Sequence, residues 1–364
     1  MSTHIHKAVL ADLIHFSADK REAEDRMTEL EELVRTYGGA VVVKTIQRKA
    51  KPDYQTFIGK GRVEELIAES KELGADLFVV NHPLKPQQIF NLEELLRPAK
   101  MKVWDRIDLI LNIFEKHAST AEAKLEIELA RLRHMGPRIY NMSEELGRQR
   151  GGTGTRGGSG EGNTEAMKRH LRDQERAILK RLEKYQGVRD LQRERRARMG
   201  ERTVALVGYT NAGKTSLLNA LTKRKEYAAN ALFATLDTRV GTMYLPDLEG
   251  TALLSDTIGF IQGLPPSLIA AFRSTLSEAL GADVLLHVID AADDKRDEKI
   301  EVVDDILTEL SVPENRRLRV YNKVDALGSM SFPVPKNAIA VSAVTGEGLD
   351  DLRRAIASRF PQGA

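Results

Sequence analysis

The residues best suited to chemistry begin at Gly208, where the chain reads Gly-Tyr-Thr-Asn-Ala-Gly-Lys-Thr up to Thr215. This GxxxxGK[ST] pattern stands between a strand-like apolar run at 203–207 and a helical run at 216–221. The glycines let backbone N–H groups turn toward a β-phosphate, and the helix dipole favours an anion there. Lys214 is expected to bridge β- and γ-phosphates, and the Thr215 hydroxyl to bind Mg²⁺. The pattern therefore predicts a P-loop.

Two further elements fit the metal ion and the γ-phosphate. An apolar run at 252–254 leads into Asp256-Thr-Ile-Gly259, where the carboxylate suits Mg²⁺ and the Gly259 N–H suits the γ-phosphate. Between this element and the P-loop, Thr235 lies in Leu-Phe-Ala-Thr-Leu-Asp, where the switch loops of GTPases order and disorder. It is either a third Mg²⁺ ligand or an ordinary loop threonine, and the ligand role is favoured.

The base is predicted to be read by two short motifs after apolar runs. Residues 318–321 lead into Asn322-Lys-Val-Asp325, and 339–341 lead into Ser342-Ala343. A carboxylate at Asp325 accepts from both N1–H and the 2-amino group of guanine, a donor pair that adenine lacks. Backbone N–H groups at Ser342 and Ala343 suit guanine O6. The P-loop, Asp256–Gly259, Asn322–Asp325 and Ser342-Ala343, in this order, predict GTP rather than ATP.

The residue that follows Asp256–Gly259 has no side-chain group that could orient a water for hydrolysis. Ras-like enzymes orient the attacking water with a glutamine there, and this chain has Phe260. The sequence therefore predicts slow intrinsic hydrolysis and activation by a partner. The alternative to a partner is activation by a nearby residue, for which Gln262 is the candidate; the sequence indicates no other catalytic residue.

The elements that must position these residues fall into three predicted domains. Residues 1–118 alternate strand and helix patterns, which indicates a parallel α/β domain. Residues 119–199 contain helical runs at 120–134 and 165–199, whose apolar stripes predict an antiparallel coiled-coil hairpin. A loop at 147–162, half of it glycine, joins them. Residues 200–364 form the predicted P-loop GTPase domain.

The charge and composition of the chain exclude several classes of site and indicate what kind of partner it binds. The 364-residue chain has no cysteine, which excludes disulfides and Cys-ligated metals, and it has no apolar run long enough to span a membrane. His134 and His287 have no partners at metal-ligand spacing, so neither is taken as a metal site. The net charge is +2, yet from 148 to 200 basic residues outnumber acidic ones roughly two to one. A cytoplasmic monomer with a polyanion-binding segment is expected.

Six basic residues of that segment are the candidates for contact with RNA, although the glycine-rich stretch is equally compatible with a plain linker. They are Arg148, Arg150, Arg156, Lys168, Arg169 and Arg172.

These motifs resemble the HflX family of GTPases along nearly the whole chain. The resemblance lies in GYTNAGKTSLLNALT, LFATLD and DTIGFIQGLPPSLIAAFRSTL, and in the N-terminal half in FIGKGRVEEL, LKPQQ, WDRIDLIL and EIELARLR. It implies a cytosolic GTPase that binds the large ribosomal subunit and its RNA and rescues or dissociates ribosomes. One departure is Gly-Asn-Thr-Glu-Ala at 162–166, where many relatives carry a glutamine-containing acidic stretch.

Motifs and resemblance together imply the site residues. The nucleotide-binding set is Gly208, Asn211, Ala212, Gly213, Lys214, Thr215, Ser216, Phe233, Ala234, Thr235, Leu236, Asp237, Asp256, Thr257, Ile258, Gly259, Asn322, Lys323, Val324, Asp325, Ser342 and Ala343. Within it, Thr215, Thr235 and Asp256 are the implied Mg²⁺ ligands. Two alternatives stay open: a GTP-dependent factor that remodels free RNA or assembles ribosomes, and a slow GTP-binding switch that recruits a protein.

Overall fold

A computed structural model describes residues 5–150, 159–222, 232–233, 239–257, 259–262, 268, 280–328 and 333–361. The chain divides into two units. The first unit extends to Lys116 and includes Ile127–Lys180. The second contains His117–Glu126 and the chain from Arg181 onward. The three-domain division with boundaries after 118 and 199 stays a prediction.

The first unit is built on a fully parallel four-stranded sheet in the order β2-β1-β3-β4. The strands are β1 (Lys7–Ile14), β2 (Ala40–Arg48), β3 (Leu77–Val80) and β4 (Lys102–Asp105). Nearly every residue of β1 and all of β3 are buried, as expected for a parallel sheet with both faces covered. The predicted parallel α/β fold of the N-terminal half is confirmed.

The helices of this region begin and end where local chemistry allows. They are α1 (Lys20–Tyr37), α2 (Lys60–Lys71), α3 (Pro86–Leu96) and α4 (Arg106–His117). At the start of α1 the Asp19 side chain accepts from the Arg21 N–H at 2.9 Å, and at its end Gly38 adopts φ +90°. The α1 residues that face the sheet recur at helical spacing: Ala23, Met27, Leu30, Leu33 and Val34.

Two long helices follow, α5 (Ala121–Arg150) and α6 (Ser159–Arg198). Arg133 of α5 pairs with Glu175 of α6, and Glu122 of α5 pairs with Arg189 of α6. Because the position on α6 rises as the position on α5 falls, the helices run antiparallel, and the predicted hairpin is confirmed.

The predicted bounds of the hairpin are wrong at three places. α5 continues past His134 through Gly136 and Pro137, since a proline removes only one hydrogen bond from a helix and long flanks on both sides sustain it. The predicted loop at 147–162 is too long at both ends, because 147–150 and 159–162 are helical in backbone. Glycine disfavours a helix by only about 1 kcal/mol, so a long helix extends over it. The loop residues 151–158 lie outside the described residues.

The second unit contains a six-stranded sheet in the order β10-β9-β8-β5-β7-β6, in which only β6 runs antiparallel. Its strands are β5 (Arg202–Gly208), β6 (Arg239–Leu245), β7 (Gly250–Asp256), β8 (Val284–Asp290), β9 (Arg317–Asn322) and β10 (Ala338–Ala340). The helices described here are α7 (Lys214–Thr222), α8 (Arg296–Glu309) and α9 (Leu349–Ala357).

The core of this sheet is apolar and continuous. Leu206, Leu254, Leu286 and Val320 are fully buried from four neighbouring parallel strands, and Leu217 of α7 packs on them. This rigid centre fixes the carboxyl ends of the strands, where loops carry polar residues. Among the described residues, no helix is both long enough and apolar enough to cross a membrane.

Candidate functional site

The loop after β5 approaches its neighbours so closely that only glycine fits at two positions. A Cβ on Gly208 would lie 2.2 Å from the Val288 carbonyl oxygen. A Cβ on Gly213, where φ is +88°, would lie 2.3 Å from Nδ2 of Asn322. Asn211 between them also has a positive φ of 63°, and Ala212 is buried. The loop therefore has the tight curvature that turns backbone N–H groups inward.

Lys214 opens α7 and folds back over the loop. Its Nζ donates to the carbonyl oxygens of Gly208 at 3.1 Å and Tyr209 at 2.8 Å. Burial lowers the pKa of Lys214 to about 8, with a further lowering by the charge of Lys323 and an opposing effect of Asp256. An ammonium held this way stands at the centre of the loop, ready for a phosphate. Ser216 follows, half-buried, in the first turn of the helix.

A carboxylate and a hydroxyl meet beside this lysine. The Thr215 hydroxyl donates to Oδ2 of Asp256 at 2.7 Å, and Asp256 is fully buried at the end of β7. Hard oxygen ligands in this arrangement suit Mg²⁺, which is bound in such sites by one or two protein oxygens plus phosphates. The Thr257 hydroxyl donates to the Leu206 carbonyl at 2.7 Å and holds this element against β5.

Gly259 of the DxxG motif lies against the P-loop. A Cβ on Gly259 would lie 2.9 Å from both Nζ of Lys214 and Cγ2 of Thr210. Any side chain at Gly259 would therefore press on the lysine. Ile258, also predicted to bind nucleotide, lies outside the described residues.

Two backbone hydrogen bonds join Phe260 to the P-loop. Its N–H donates to the Gly208 carbonyl at 3.0 Å, and its carbonyl accepts from the Thr210 N–H at 2.7 Å. The phenyl ring is buried and has no polar atom. Gln262 is exposed, and its backbone N–H donates to the Tyr209 hydroxyl at 2.8 Å. A catalytic role for Gln262 stays a prediction.

The asparagine of the base motif connects three segments. Asn322 Nδ2 donates to the Ala212 carbonyl at 3.0 Å, and its Oδ1 accepts from the Ala343 N–H at 3.1 Å. Lys323 donates from Nζ to Oδ2 of Asp290 at 2.7 Å. The motif thereby links the phosphate loop to the segment predicted to close over the base.

The carboxylate predicted to read guanine is oriented by a serine. The buried Ser342 hydroxyl donates to Oδ1 of Asp325 at 2.5 Å and accepts from the Thr345 N–H at 3.0 Å. Asp325 itself is exposed, and Val324 beside it is half-buried. The geometry leaves the carboxylate facing solvent, where a base can bind.

Part of the predicted switch segment is described. Phe233 has a positive φ of 56°, is buried, and its carbonyl oxygen lies 3.0 Å from Nδ1 of His117, within the same unit. The N–H tautomer at Nδ1 donates this bond. The other switch residues, Ala234, Thr235, Leu236 and Asp237, lie outside the described residues.

Two residues at the candidate site, Asp290 and Thr210, are absent from the set predicted from the sequence. Asp290 holds Lys323 and follows an apolar strand just as Asp256 does, so the same signal was available. The buried Thr210 hydroxyl lies inside the P-loop at a variable position of the motif, and no sequence pattern distinguishes it.

A second polar cluster lies in the first unit. Oxygens of Asp105 and Asp108 and a nitrogen of His134 lie close enough to share a metal ion. The guanidinium of Arg138 already occupies their centre, at 2.6 Å from Asp105 and 2.8 Å from Asp108. Burial raises the pKa of Asp105, but the His134 hydrogen bond and the Arg138 charge lower it overall. The cluster is therefore a buried ion pair network rather than a metal site.

The basic candidates are only partly described. Arg169 and Arg172 are exposed on α6, and Lys168 is half-buried there. The side chains of Arg148 and Arg150 and all of Arg156 lie outside the described residues.

Three family descriptions match successive segments of the chain. They are "GTP-binding GTPase N-terminal" over 24–115, "GTP-binding GTPase Middle Region" over 117–196 and "50S ribosome-binding GTPase" over 203–323. The chain is also 43% identical to GTPase HflX of Caldanaerobacter subterraneus subsp. tengcongensis, across 96% of this chain and 79% of that relative. This chain belongs to the HflX family of GTPases.

The chain is also similar to other HflX relatives and to a solved structure of a GTP-binding protein. GTPase HflX of Escherichia coli strain K12 is 41% identical, across 95% of this chain and 81% of the relative. A GTP-binding protein from Sulfolobus solfataricus, solved in complex with GDP, is 25% identical and covers 98% of both chains with a TM-score of 0.51. The resemblance to the HflX family and the prediction of a GTPase are thereby confirmed.

Proposed function

We propose that this protein hydrolyses GTP while bound to the large ribosomal subunit, and that the subunit stimulates hydrolysis. The observation that carries the proposal is the convergence of Lys214, Asp256 and Asn322 on one loop, within a segment that matches the description "50S ribosome-binding GTPase". The GDP complex of the Sulfolobus relative supports guanine nucleotide as the ligand.

Each side chain has a distinct task in this proposal. Lys214 neutralises the β- and γ-phosphates, and the N–H groups of Asn211–Lys214 bind phosphate oxygens. Asp325 accepts from guanine N1–H and the 2-amino group, with Ser342 holding the carboxylate in place. Asn322 bonds both the P-loop and the segment at Ala343, and so sets the distance between the phosphate-binding and base-binding parts of the site.

Thr215 and Asp256 would hold Mg²⁺, because a buried carboxylate and a hydroxyl already lie side by side there. When bound, the ion supplies positive charge against the phosphate oxygens. Thr235 is the further ligand proposed from the family resemblance.

The ribosome dependence follows from Phe260. A buried phenyl ring stands where a water-orienting glutamine is needed, so the free protein lacks that group. A binding partner that orders the switch segments increases hydrolysis without new chemistry.

RNA contact is assigned to the basic side of the helical hairpin, where Arg169 and Arg172 are exposed. Phosphate contacts of this kind weaken steeply with salt. The biological outcome proposed is rescue or dissociation of ribosomes in the cytoplasm, by a protein that acts as a monomer.

Sedimentation of the purified protein with ribosomal subunits tests the partner. We expect it to pellet with large but not small subunits when loaded with a non-hydrolysable GTP analogue, and to be released by GDP. The variant carrying Arg169→Glu and Arg172→Glu should lose binding, while the exposed control Arg354→Glu on α9 should keep it. Equal pelleting with both subunits, or with either nucleotide, would contradict the proposal.

A further inference from the structure

Thr210, the third residue of the P-loop, has a buried hydroxyl to which the structure assigns no partner. The residue is only 6% exposed, and within the described part of the chain Oγ1 makes no hydrogen bond. A hydroxyl that is buried without a hydrogen bond loses its hydration with nothing in return, so native structures rarely retain one without a reason. A ligand that enters the loop would supply the missing partner.

The position of Thr210 indicates which part of a ligand that would be. The point where a Gly259 Cβ would stand is 2.9 Å from Cγ2 of Thr210 and 2.9 Å from Nζ of Lys214. The methyl group of Thr210 therefore borders the same small space as the ammonium and the DxxG glycine, and the hydroxyl is carried on the same Cβ. These two groups are the ones expected to contact the γ-phosphate.

Its backbone holds the threonine there. The Thr210 N–H donates to the Phe260 carbonyl at 2.7 Å, and Tyr209 and Phe260 form a parallel bridge. Phe260 therefore contributes a backbone carbonyl at the position where a water-orienting side chain is needed, and that carbonyl holds Thr210, which carries a hydroxyl.

We propose that the Thr210 hydroxyl donates to a γ-phosphate oxygen and accepts from the attacking water, and so takes part in orienting that water. A hydroxyl has one donor and two acceptor positions, so both bonds are available at once. In the reaction the water oxygen bonds to the γ-phosphorus as the bond to the β–γ bridging oxygen breaks. The water's proton leaves to the released phosphate, and GDP remains. This inference rests on the proposed GTP hydrolysis.

The test compares Thr210→Val, which keeps the shape and removes the hydroxyl, with Thr210→Ser, which keeps the hydroxyl. Thr308→Val, at an exposed threonine of α8, is the matched control. Single-turnover GTP hydrolysis is measured with saturating large subunits, together with GDP affinity and binding of GDP with aluminium fluoride, which mimics the transferring phosphoryl group.

Thr210→Val should hydrolyse GTP about 100-fold more slowly, the size of effect seen when one preorganised hydrogen bond to a transition state is removed. It should bind GDP like the wild type and lose the aluminium fluoride complex, while Thr210→Ser and Thr308→Val stay near the wild-type rate. An unchanged rate in Thr210→Val, or an equal loss of GDP affinity and rate, would overturn the role. A wild-type protein that hydrolyses no GTP under any condition would instead overturn the proposed function.

Discussion

Nδ2 of Asn322 donates a hydrogen bond to the carbonyl oxygen of Ala212 across 3.0 Å, which ties the base motif to the phosphate loop. This bond is buried, so its loss leaves an unsatisfied carbonyl within the loop that must bind phosphates.

Asn322→Asp should therefore lower the affinity for GTP and the affinity for GDP by the same factor. The aspartate replaces a donor by an acceptor opposite the Ala212 carbonyl, at a cost of about 1–3 kcal/mol, or roughly 5- to 150-fold in affinity. Calorimetric titration of both nucleotides measures this. Asn315→Asp, at an exposed asparagine of the same unit, should bind normally. A loss confined to GTP would contradict the bridging role.

The buried ammonium of Lys214 makes nucleotide binding pH-dependent. In the free protein the pKa of Lys214 is lowered to about 8, and a bound phosphate favours the charged form. Above that pH binding must take up a proton, so GDP affinity should be level from pH 7 to 8 and then fall, toward tenfold per pH unit. Guanosine, which lacks phosphates, is the control and should follow a different profile. A GDP affinity that is constant to pH 9 would argue against a buried lysine at the phosphates.

Asp325→Asn should change which base is bound. The amide loses one of two acceptors for guanine and gains a donor for the 2-oxo group of xanthine. A hydrogen bond to a charged group contributes about 1.5–3 kcal/mol, so GTP affinity should fall by about 10- to 150-fold while xanthosine triphosphate gains. Competition against a fluorescent GDP analogue measures both. Asp350→Asn, at a 90% exposed carboxylate, is the control. Equal weakening of both triphosphates would mean that Asp325 does not read the base.

Arg138→Met tests the buried ion network of the first unit. Removing the guanidinium leaves Asp105 and Asp108 buried without it, at a cost of about 3–5 kcal/mol in the free energy of unfolding. Since the two carboxylates then repel, the folded protein favours protonation, so the loss should shrink from pH 7 to pH 5. Urea unfolding at pH 7 and at pH 5 measures this loss in the free energy of unfolding. The exposed pair of Arg354 and Asp351 gives a control, Arg354→Met, with a cost under about 1 kcal/mol. Similar costs for both variants would contradict the account.

The phosphate and base motifs were predictable because each is short in sequence and lies at the end of an apolar strand. Lys214 and Asp256 meet in the structure as the order of the motifs implies. The polar cluster of Asp105, Asp108 and His134 was not predictable in this way, because packing of separate elements brings its members together. His134 lacks ligand-spaced neighbours in sequence, yet the fold brings Asp105 of β4 and Asp108 of α4 next to it on α5.

Helix bounds were the least predictable feature. The sequence predicts helical runs at 120–134 and 165–199 with a loop at 147–162, whereas α5 and α6 extend over glycines and a proline because each added residue of a long helix costs little. Similarly, nothing in the P-loop pattern marks Thr210, since its burial depends on the backbone contact with Phe260.

GTP turnover with and without large ribosomal subunits tests the central claim most directly. The purified protein is assayed alone, with large subunits and with small subunits, at low and high salt, beside Lys214→Ala. The account predicts slow turnover alone, strong stimulation by large subunits only, loss of the stimulation at high salt, and no turnover in Lys214→Ala. The same rate with and without large subunits would contradict it.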